Sequence, residues 1–439
     1  MFMMLTGCGS VYILKIYHLI KMKTQIPYGQ GVEELDVPPG NIVDIFVPKK
    51  PKTSASSKTV KQKIKQMVKE HAGMIEKSNG DICVLVSDKT RAAFNSIIVP
   101  ELLRQLESVG TNMGRLRIII ANGLHTPMNR QEIVENLGKE VVDRFTVINH
   151  ISDEEDRHVF IGKTRFGTEV KLNRKYVDAR LKIATGLVEP HFFAGFSGGY
   201  KSVLPGIAST KTVYHNHSFE MIDHPKSKAG VLEGNPIHED IEAAGRLSGL
   251  NLIVNVTVSN GRLSSIHAGE VDKTYEEAID KVRSEACVSI DHLYDVIVTS
   301  NGGFPLDRNL YQAVKGISVG ESIVKKRGSI IVLSECRDGV AHEEFRKLME
   351  YGETPKDILS YIKENEPLRD QWQAHVLARI MLRSKIFVVS RSLNGKDVEK
   401  MKMHKVNTVE EAFELAKVKK NSGKSIAVFP NGPYTIPTL

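Results

Sequence analysis

Short apolar runs recur along this chain, and the segments between them have a different hydrophobic spacing. The runs are rich in β-branched residues, which is typical of strands buried on both faces of a parallel sheet. They are Asp81–Val86, Arg117–Ile120, Ala179–Thr185, Leu252–Val258, Asp295–Thr299, Ser329–Leu333, Ile386–Val389 and Ser425–Phe429. Apolar residues three or four positions apart predict helices over Ser57–Gly73, Val99–Ser108, Asn129–Leu137 and Lys273–Ser284.

This alternation of strands and helices predicts an α/β fold with right-handed crossovers and mostly parallel, Rossmann-like sheets. Because 439 residues exceed the size of one compact domain, we expect two α/β domains with the active site in the cleft between them. The boundary is expected near residues 285–291. The predicted division is a non-native or disordered leader at 1–22, an N-terminal domain at 23–288 with the cofactor and catalytic histidines, and a C-terminal domain at 289–439 that completes the pocket.

Composition and charge exclude several classes of protein. The net charge is +8, but the first 70 residues contain eleven lysines and five acidic residues, so most of the excess lies in the leader and the linker at 48–57. We therefore expect no nucleic-acid partner. The apolar run at 11–20 is too short to span a bilayer, which predicts no membrane association. Four widely spaced cysteines form no metal or disulfide pattern, as expected of a cytoplasmic protein.

Polar residues follow two of the predicted strands, where ligands bind in open α/β sheets. The strand at 81–86 leads into Asp88, Thr90 and Arg91, and Asp88 could orient the Arg91 guanidinium toward an anion. The strand at 117–120 leads into Asn122-Gly123 and then His125, which is presented where a helix is about to begin. Taken alone, each segment also suits a helix cap with solvated side chains.

A glycine-rich segment follows the strand at 179–185. Ser197, Gly198 and Gly199 could offer backbone amides to an anion, although a tight turn would use the same residues. Phenylalanines flank His191 and Lys201, and desolvation by such neighbours lowers the pKa of a lysine and favours a nucleophilic amine. The later pair His215 and His217 supplies imidazoles that suit a transition metal.

The strand at 295–299 leads into a second glycine-rich loop and a helical segment. On a helix Tyr311 and Lys315 share a face, and Gln312 lies three positions before Lys315, so Gln312 and Lys315 could both point into one cleft. A solvated lysine is the simpler alternative. The chain lacks a conventional zinc motif, so scattered histidines with one buried lysine indicate acid–base chemistry around a cofactor.

Together these segments resemble the nickel-pincer-dependent lactate racemase family, whose members are 2-hydroxyacid racemases and epimerases. The matching blocks are SDKTR, ANGLHTPM, PHFFAGFSGGYK, the Asn-His pair of YHNH and NGGFPLDRNLYQAVKG, from about residue 84 to residue 316.

The resemblance implies a cofactor of nickel and pyridinium-3,5-bisthiocarboxylic acid mononucleotide, covalently attached to Lys201. It implies His217 as the nickel ligand and His125 and His191 as the acid–base pair. Arg91, Gln312 and Lys315 would bind substrate. The residues expected to contact the cofactor besides Lys201 are Asp88, Thr90, Ser197, Gly198 and Gly199.

The implied reaction inverts C2 of a 2-hydroxyacid through a 2-keto acid, by hydride transfer coupled to proton transfer. The expected partners are the small-molecule substrate and, transiently, the enzymes that synthesise the cofactor. Ser87, Ala92 and Thr126 depart from the family's usual residues, which leaves the substrate open. Two alternatives remain: a metal-dependent hydrolase or lyase with His125, His191 and His217 as ligands, and a non-catalytic anion- or nucleotide-binding protein built on Ser197–Gly199.

Overall fold

The computed structural model describes residues 14–17, 22–49, 54–91, 93–259 and 261–439. Most of the predicted leader 1–22 therefore lies outside the described residues, as do positions 50–53 of the predicted linker. Within the leader, Leu14–Tyr17 forms a strand that pairs antiparallel with Ile42–Ile45.

Strands and helices alternate through most of the described chain. The strands are β1 (Leu14–Tyr17), β2 (Met22–Tyr28), β3 (Gly31–Val37), β4 (Ile42–Ile45), β5 (Ile82–Ser87), β6 (Arg117–Ala121), β7 (Thr146–Asn149), β8 (His158–Lys163), β9 (Glu169–Asn173), β10 (Leu181–Val188), β11 (Pro190–His191), β12 (Gly195–Phe196), β13 (Leu252–Ser259), β14 (Arg262–Glu270), β15 (Cys287–Ser289), β16 (Tyr294–Ser300), β17 (Val324–Leu333), β18 (Ser384–Val389), β19 (His404–Val406), β20 (Ser425–Phe429) and β21 (Ile436–Thr438).

The helices are α1 (Ser57–Glu70), α2 (Ala72–Lys77), α3 (Asn95–Ser108), α4 (Arg130–Leu137), α5 (Lys139–Arg144), α6 (Arg174–Val177), α7 (Thr210–Asn216), α8 (Phe219–Asp223), α9 (Pro236–Ser248), α10 (Val271–Ala286), α11 (Leu310–Ser318), α12 (Glu343–Glu350), α13 (Pro355–Glu364), α14 (Gln371–Met381), α15 (Gly395–Lys400) and α16 (Val409–Leu415). All eight predicted strands and all four predicted helices are present, with ends that differ by a few residues.

The chain divides into two compact units, and the mostly parallel α/β class is confirmed in both. The unit at 50–285 contains a six-stranded sheet in the order β14-β13-β10-β5-β6-β7. All neighbours are parallel except β13 and β14. Apolar side chains of β5, β6, β10 and β13 pack against α1 and α3 to form its core. The order of connections reverses between β5 and β10, so the topological switch point lies between these two strands.

The other unit combines residues 1–49 with 286–439. Its sheet has the order β1-β4-β20-β16-β17-β18-β19, and β1 is the antiparallel edge. The β2–β3 hairpin contributes Ile26, Leu35 and Val37 to a core shared with Val298 and Val428.

The structure groups the first residues of the predicted N-terminal domain, 23–288, differently from that prediction. Residues 23–49 belong to the unit that contains the C-terminal half, because β4 pairs in parallel with β20. A four-residue strand that pairs with a strand 383 residues later, Ile42 with Ser425, leaves no local signal of its partner. The structure divides the later part of the chain between residues 285 and 286, inside the segment predicted to contain the boundary.

Within the described residues, no helix combines the length and the apolarity needed to span a membrane. Cys83 and Cys336 are fully buried, and burial raises the pKa of each thiol to about 12. These two cysteines are therefore packing residues.

Candidate active site

Three strand ends of the unit at 50–285 carry the candidate side chains. The loop after β5 holds Asp88 and Arg91, the loop after β6 holds His125, and β10 leads into Glu189 and His191. Because β5 and β10 are neighbours at the switch point, their following loops border the crevice in which doubly wound folds bind ligands.

His125 and Asp88 form a hydrogen-bonded pair. His125 Nδ1 lies 2.7 Å from Asp88 Oδ2, while the second carboxylate oxygen accepts hydrogen bonds from the backbone N–H and hydroxyl of Thr90. Burial by itself raises the pKa of Asp88, but the hydrogen bonds from His125 and Thr90 and the nearby Arg91 charge outweigh it, so the pKa is lowered. The anionic carboxylate holds the Nδ1–H of His125, which leaves Nε2 of the half-exposed ring as a base.

The expectation that Asp88 orients Arg91 is wrong. Arg91 Nη1 donates instead to Glu189 Oε1 at 2.7 Å, and both side chains are mostly buried. Glu189 stands 98 positions later in the chain, directly before the Pro-His block, so no spacing rule connects it with Arg91. Asp88 is too fully engaged by His125 and Thr90 to serve as the main partner of the guanidinium.

The Ser197–Gly199 segment does not form the anion cradle that its sequence suggested. The Ser197 N–H donates to the Glu189 carbonyl, and the Gly199 N–H donates to Asn255 Oδ1 at 2.9 Å. The glycines serve close packing: a Cβ at Gly199 would lie 2.9 Å from the Tyr275 ring, and one at Gly198 would lie 2.6 Å from Val188. The non-catalytic anion-binding alternative therefore loses two of its three proposed amide donors.

Lys201 lies in a short 3₁₀ turn that begins at Gly199. Burial, together with the positive charge of Arg91, lowers the pKa of Lys201 to about 7. Its Nζ lies 6.0 Å from the centre of the Phe193 ring. A substantial fraction of this amine is neutral at physiological pH, and a neutral amine is the nucleophilic form.

His217 is buried at the C-terminal end of α7, whereas His215 is exposed and its Nε2 contacts the Phe166 carbonyl. Burial, with a smaller contribution from the Lys201 charge, lowers the pKa of His217 to about 3, so its ring is neutral. His217 Nδ1 lies 2.9 Å from Asn216 Oδ1. A neutral imidazole with one nitrogen engaged in this way can present the other to a metal.

Phe193 connects His191 with the His217 and Lys201 group. Its ring lies 4.5 Å from the ring of His191 and 5.1 Å from that of His217, in edge contacts. His191 is buried, and its Nδ1 accepts a hydrogen bond from the Ala194 N–H at 3.3 Å. The neutral ring therefore carries its proton on Nε2.

The structure thus brings together six of the predicted residues in one unit: Asp88 with His125, Arg91 beside Lys201, Lys201 beside His217, and His191 joined to His217 through Phe193. Thr90 contacts Asp88 but its side chain is exposed. Gln312 and Lys315 belong to the other unit, on α11, whose N-terminus is capped by Asn309. Gln312 is partly exposed there, and the Asn301 side-chain amide donates to its backbone carbonyl at 2.7 Å.

Sequence reasoning missed Glu189, Phe193 and Asn216 as site residues. Glu189 and Phe193 lie beside or inside the Pro-His block, and Asn216 is the first residue of the Asn-His pair, so their positions in the motifs were the available signal. Their partners depend on contacts between elements that the motifs do not specify.

The arrangement of these residues suits some bound groups and not others. Within the described parts of the chain, no three histidine, cysteine or acidic side chains converge to form a metal site. The three-imidazole site that the hydrolase alternative requires is therefore not formed. A neutral lysine amine and one neutral imidazole, by contrast, fit a group that brings most of its own metal ligands and attaches covalently.

A carboxylate-held imidazole beside the switch point of a doubly wound fold is typical of the active site of an α/β enzyme. Two family models match the chain, the lactate racemase N-terminal domain over residues 28–230 and the lactate racemase C-terminal domain over residues 290–436. The chain belongs to the lactate racemase family, and the protein is accordingly an isomerase of the racemase class. The predicted family and enzyme class are confirmed.

Relatives match over most of their length. The lactate racemase of Thermoanaerobacterium thermosaccharolyticum is 34% identical over 425 residues, which cover 94% of this chain and 98% of the relative. That of Lactiplantibacillus plantarum is 36% identical, with 80% and 84% covered. The structure titled lactate racemase apoprotein from the Thermoanaerobacterium species superposes with a TM-score of 0.86 at 33% identity, covering 95% of this chain and 100% of that one. A Thermotoga maritima protein at 18% identity shares the fold, with a TM-score of 0.68, covering 89% and 100%.

Proposed function

We propose that this racemase inverts C2 of a 2-hydroxyacid through a 2-keto acid, using a nickel-pincer nucleotide attached to Lys201. The observation that carries the proposal is the pairing of a lysine whose pKa is lowered to about 7 with a buried, neutral His217. The first is suited to covalent attachment of the nucleotide, and the second to donating one imidazole nitrogen to nickel. The relatives named lactate racemase make a small 2-hydroxyacid the natural substrate class.

The bound group would supply an electrophilic pyridinium carbon that accepts the C2 hydrogen as hydride and returns it. The protein supplies the proton transfers. His125 Nε2 is available to accept the substrate hydroxyl proton, because Asp88 holds Nδ1–H and stabilises the resulting imidazolium. Arg91, Gln312 and Lys315 are the proposed substrate-binding residues, and Arg91 would bind the substrate carboxylate.

His191 is prepared differently from His125. Its unprotonated nitrogen, Nδ1, accepts a hydrogen bond from the Ala194 N–H, so the neutral ring presents Nε2–H as a donor. We expect His125 to take the proton first and His191 to hold the substrate oxygen by hydrogen bonding. For His191 to act as an acid it must become protonated on Nδ1, which breaks the bond from Ala194.

The deciding experiment is intact mass and metal analysis of the protein co-expressed with the cofactor-synthesis enzymes. We expect an adduct on Lys201 and about one nickel per chain, and we expect both to disappear in Lys201→Arg, which keeps a long basic side chain but cannot form the adduct. Absence of adduct and nickel from the wild-type protein would contradict the proposal.

The loaded protein is then screened against D- and L-2-hydroxyacids for loss of optical rotation. His125→Gln and Asp88→Asn are expected to lower turnover by about 10²–10⁴-fold, because each removes the prepared base. Both variants should keep the Lys201 adduct. Full turnover in Asp88→Asn would exclude the acid–base role of the pair.

A further inference from the structure

Asp240 is a carboxylate that the proposed chemistry does not use. It lies on α9 and its side chain is fully buried. The Thr164 hydroxyl donates to Oδ1 at 2.5 Å. The Thr168 hydroxyl and the Asn216 amide both donate to Oδ2, at 2.8 Å. Two donors from the turn between β8 and β9 and one from α7 thus converge on one buried carboxylate.

The bonds to Asn216 determine which way its amide points. Its Nδ2 donates to Asp240 Oδ2 and, at 3.2 Å, to the Ile237 carbonyl, so both N–H hydrogens are engaged. Only Oδ1 remains to face His217, where it accepts a hydrogen bond from Nδ1 at 2.9 Å. The proton of the neutral imidazole is therefore on Nδ1, and the lone pair is on Nε2.

This arrangement is costly for the fold. Asp240 and Asn216 are completely buried, and well-packed apolar residues often stabilise such a position at least as well as a buried charge. Outer groups that accept the free N–H of a metal-bound histidine fix its tautomer and ring orientation and raise its basicity. A negative charge behind the amide polarises it toward His217, which strengthens both effects.

We propose that Asp240 and Asn216 are positioning residues that hold His217 with Nε2 unprotonated and thereby retain the metal. This inference rests on the proposed function for the identity of the group that His217 binds. Asp240 acts through Asn216, and Asn216 acts through His217, so neither is a catalytic residue.

The first test measures the tautomer in the full-length protein without cofactor. Long-range ¹⁵N–¹H correlation spectra of histidine-labelled protein report which ring nitrogen carries the proton, and His217→Gln assigns the signal. We expect the Nδ1-protonated form in the wild type. Asn216→Leu removes the acceptor, so we expect the Nε2-protonated form to become populated. An Nε2-protonated His217 in the wild type would overturn the proposal.

The second test measures nickel release from the loaded enzyme after addition of excess chelator, with intact mass to follow the Lys201 adduct. Removal of an outer partner of a metal ligand typically lowers metal affinity by about 10–100-fold, so Asn216→Leu should release nickel faster by a similar factor. The adduct should remain. In the double variant Asn216→Asp with Asp240→Asn, the new aspartate can accept from His217 Nδ1–H and the new asparagine can donate to that aspartate. We therefore expect nickel release to be slower than in Asn216→Leu and close to the wild-type rate.

Tyr176→Phe is the matched control. It removes another buried hydrogen bond that involves α9, from Tyr176 to Ser248 at 2.9 Å, without touching His217. We expect wild-type nickel release in this variant. If the wild type carries adduct and nickel but Asn216→Leu releases nickel at the wild-type rate, this inference is wrong and the proposed function stands. If the wild type carries neither, the proposed function fails and the inference with it.

Discussion

At the scale of single residues, the surroundings of the site favour the neutral form of its basic groups and the charged form of its carboxylate, through burial in the first case and hydrogen bonds in the second. Burial lowers the pKa of Lys201 and of His217, so His217 is neutral near pH 7 and a substantial fraction of Lys201 is neutral. Asp88 is also buried, yet hydrogen bonds from His125 and Thr90 keep its pKa low and its carboxylate charged. The site therefore combines a neutral nucleophile, a neutral metal ligand and an anion that supports a base.

The lowered pKa of Lys201 must reduce the stability of the protein without cofactor. Its value falls from 10.5 to about 7, so between these pH values the unfolded chain holds a proton that the folded chain has lost. Stability should rise with pH across this window, and the full penalty should persist below pH 7. Lys201→Met removes the penalty, so we expect its free energy of unfolding to exceed that of the wild type by on the order of 4 kcal/mol at pH 6. The advantage should shrink steadily toward pH 10.

Denaturant titrations of the two proteins at pH 6, 8 and 10 measure this difference. Lys211→Met is the control, because Lys211 is exposed and its pKa is raised by the hydrogen bond and charge of Glu155. We expect no stabilisation in Lys211→Met at any of the three pH values. A Lys201→Met advantage that does not depend on pH would show that the amine is not the source of the penalty.

At the scale of elements, the turn between β12 and the Lys201 segment depends on close packing. Gly199 has φ +53°, and a Cβ there would lie 2.9 Å from the ring of Tyr275. Tyr275 is itself buried in α10, so its ring cannot move aside easily. The same glycines that suggested an anion cradle instead let the chain pass over an aromatic ring and place Lys201.

Gly199→Ala should therefore be more destabilising than an alanine at another left-handed glycine. We expect a loss of about 2–4 kcal/mol, from backbone strain and from overlap with Tyr275 together. Gly110→Ala is the matched control, because Gly110 has φ +80° but nothing within 4 Å of its Cβ position, and its cost should be about 1 kcal/mol. Unfolding curves of both variants give the comparison, and equal losses would mean that the contact with Tyr275 is unimportant.

The elements themselves could be predicted from the sequence because their signals are local. Eight apolar runs became strands, and most site residues follow the strand ends where the switch-point rule expects them. Pairings between side chains could not be predicted in this way. Arg91 with Glu189 and Asn216 with Asp240 join residues 98 and 24 positions apart, and each pairing depends on how two loops or helices meet.

At the scale of the whole molecule, one unit is continuous in sequence and the other is built from both ends of the described chain. Apolar side chains of the β2–β3 hairpin pack on the sheet of residues 286–439. Polar contacts reinforce the junction: the Tyr294 hydroxyl donates to buried Asp44 at 2.7 Å, and the Gly29 N–H donates to Asp307 at 2.6 Å. Residue order alone grouped these N-terminal strands with the residues that follow them, because their partners are 250 or more residues away.

This connectivity predicts different behaviour for separately produced fragments. Residues 54–285 contain the complete six-stranded sheet and its core, so we expect them to fold cooperatively. Residues 286–439 alone lack β4 and the hairpin, which would expose the β20 edge and apolar side chains such as Val298 and Val428. We expect that fragment to aggregate. Joining residues 22–49 to its C-terminus through a flexible linker should restore a soluble, cooperatively unfolding protein, because the missing strands can then pair in place.

Circular dichroism melts and size-exclusion chromatography of the three fragments test this prediction. A hairpin with Ile26→Asp and Leu35→Asp in the joined fragment is the control, because both residues are fully buried in the shared core and a buried carboxylate without a partner is strongly destabilising. That fragment should behave like residues 286–439 alone. A sheet that depends on its edge strand exposes apolar core residues to water when that strand is missing. Cooperative folding of 286–439 without the N-terminal strands would therefore contradict the prediction, because it would mean that β2–β4 only cover a unit that is already stable.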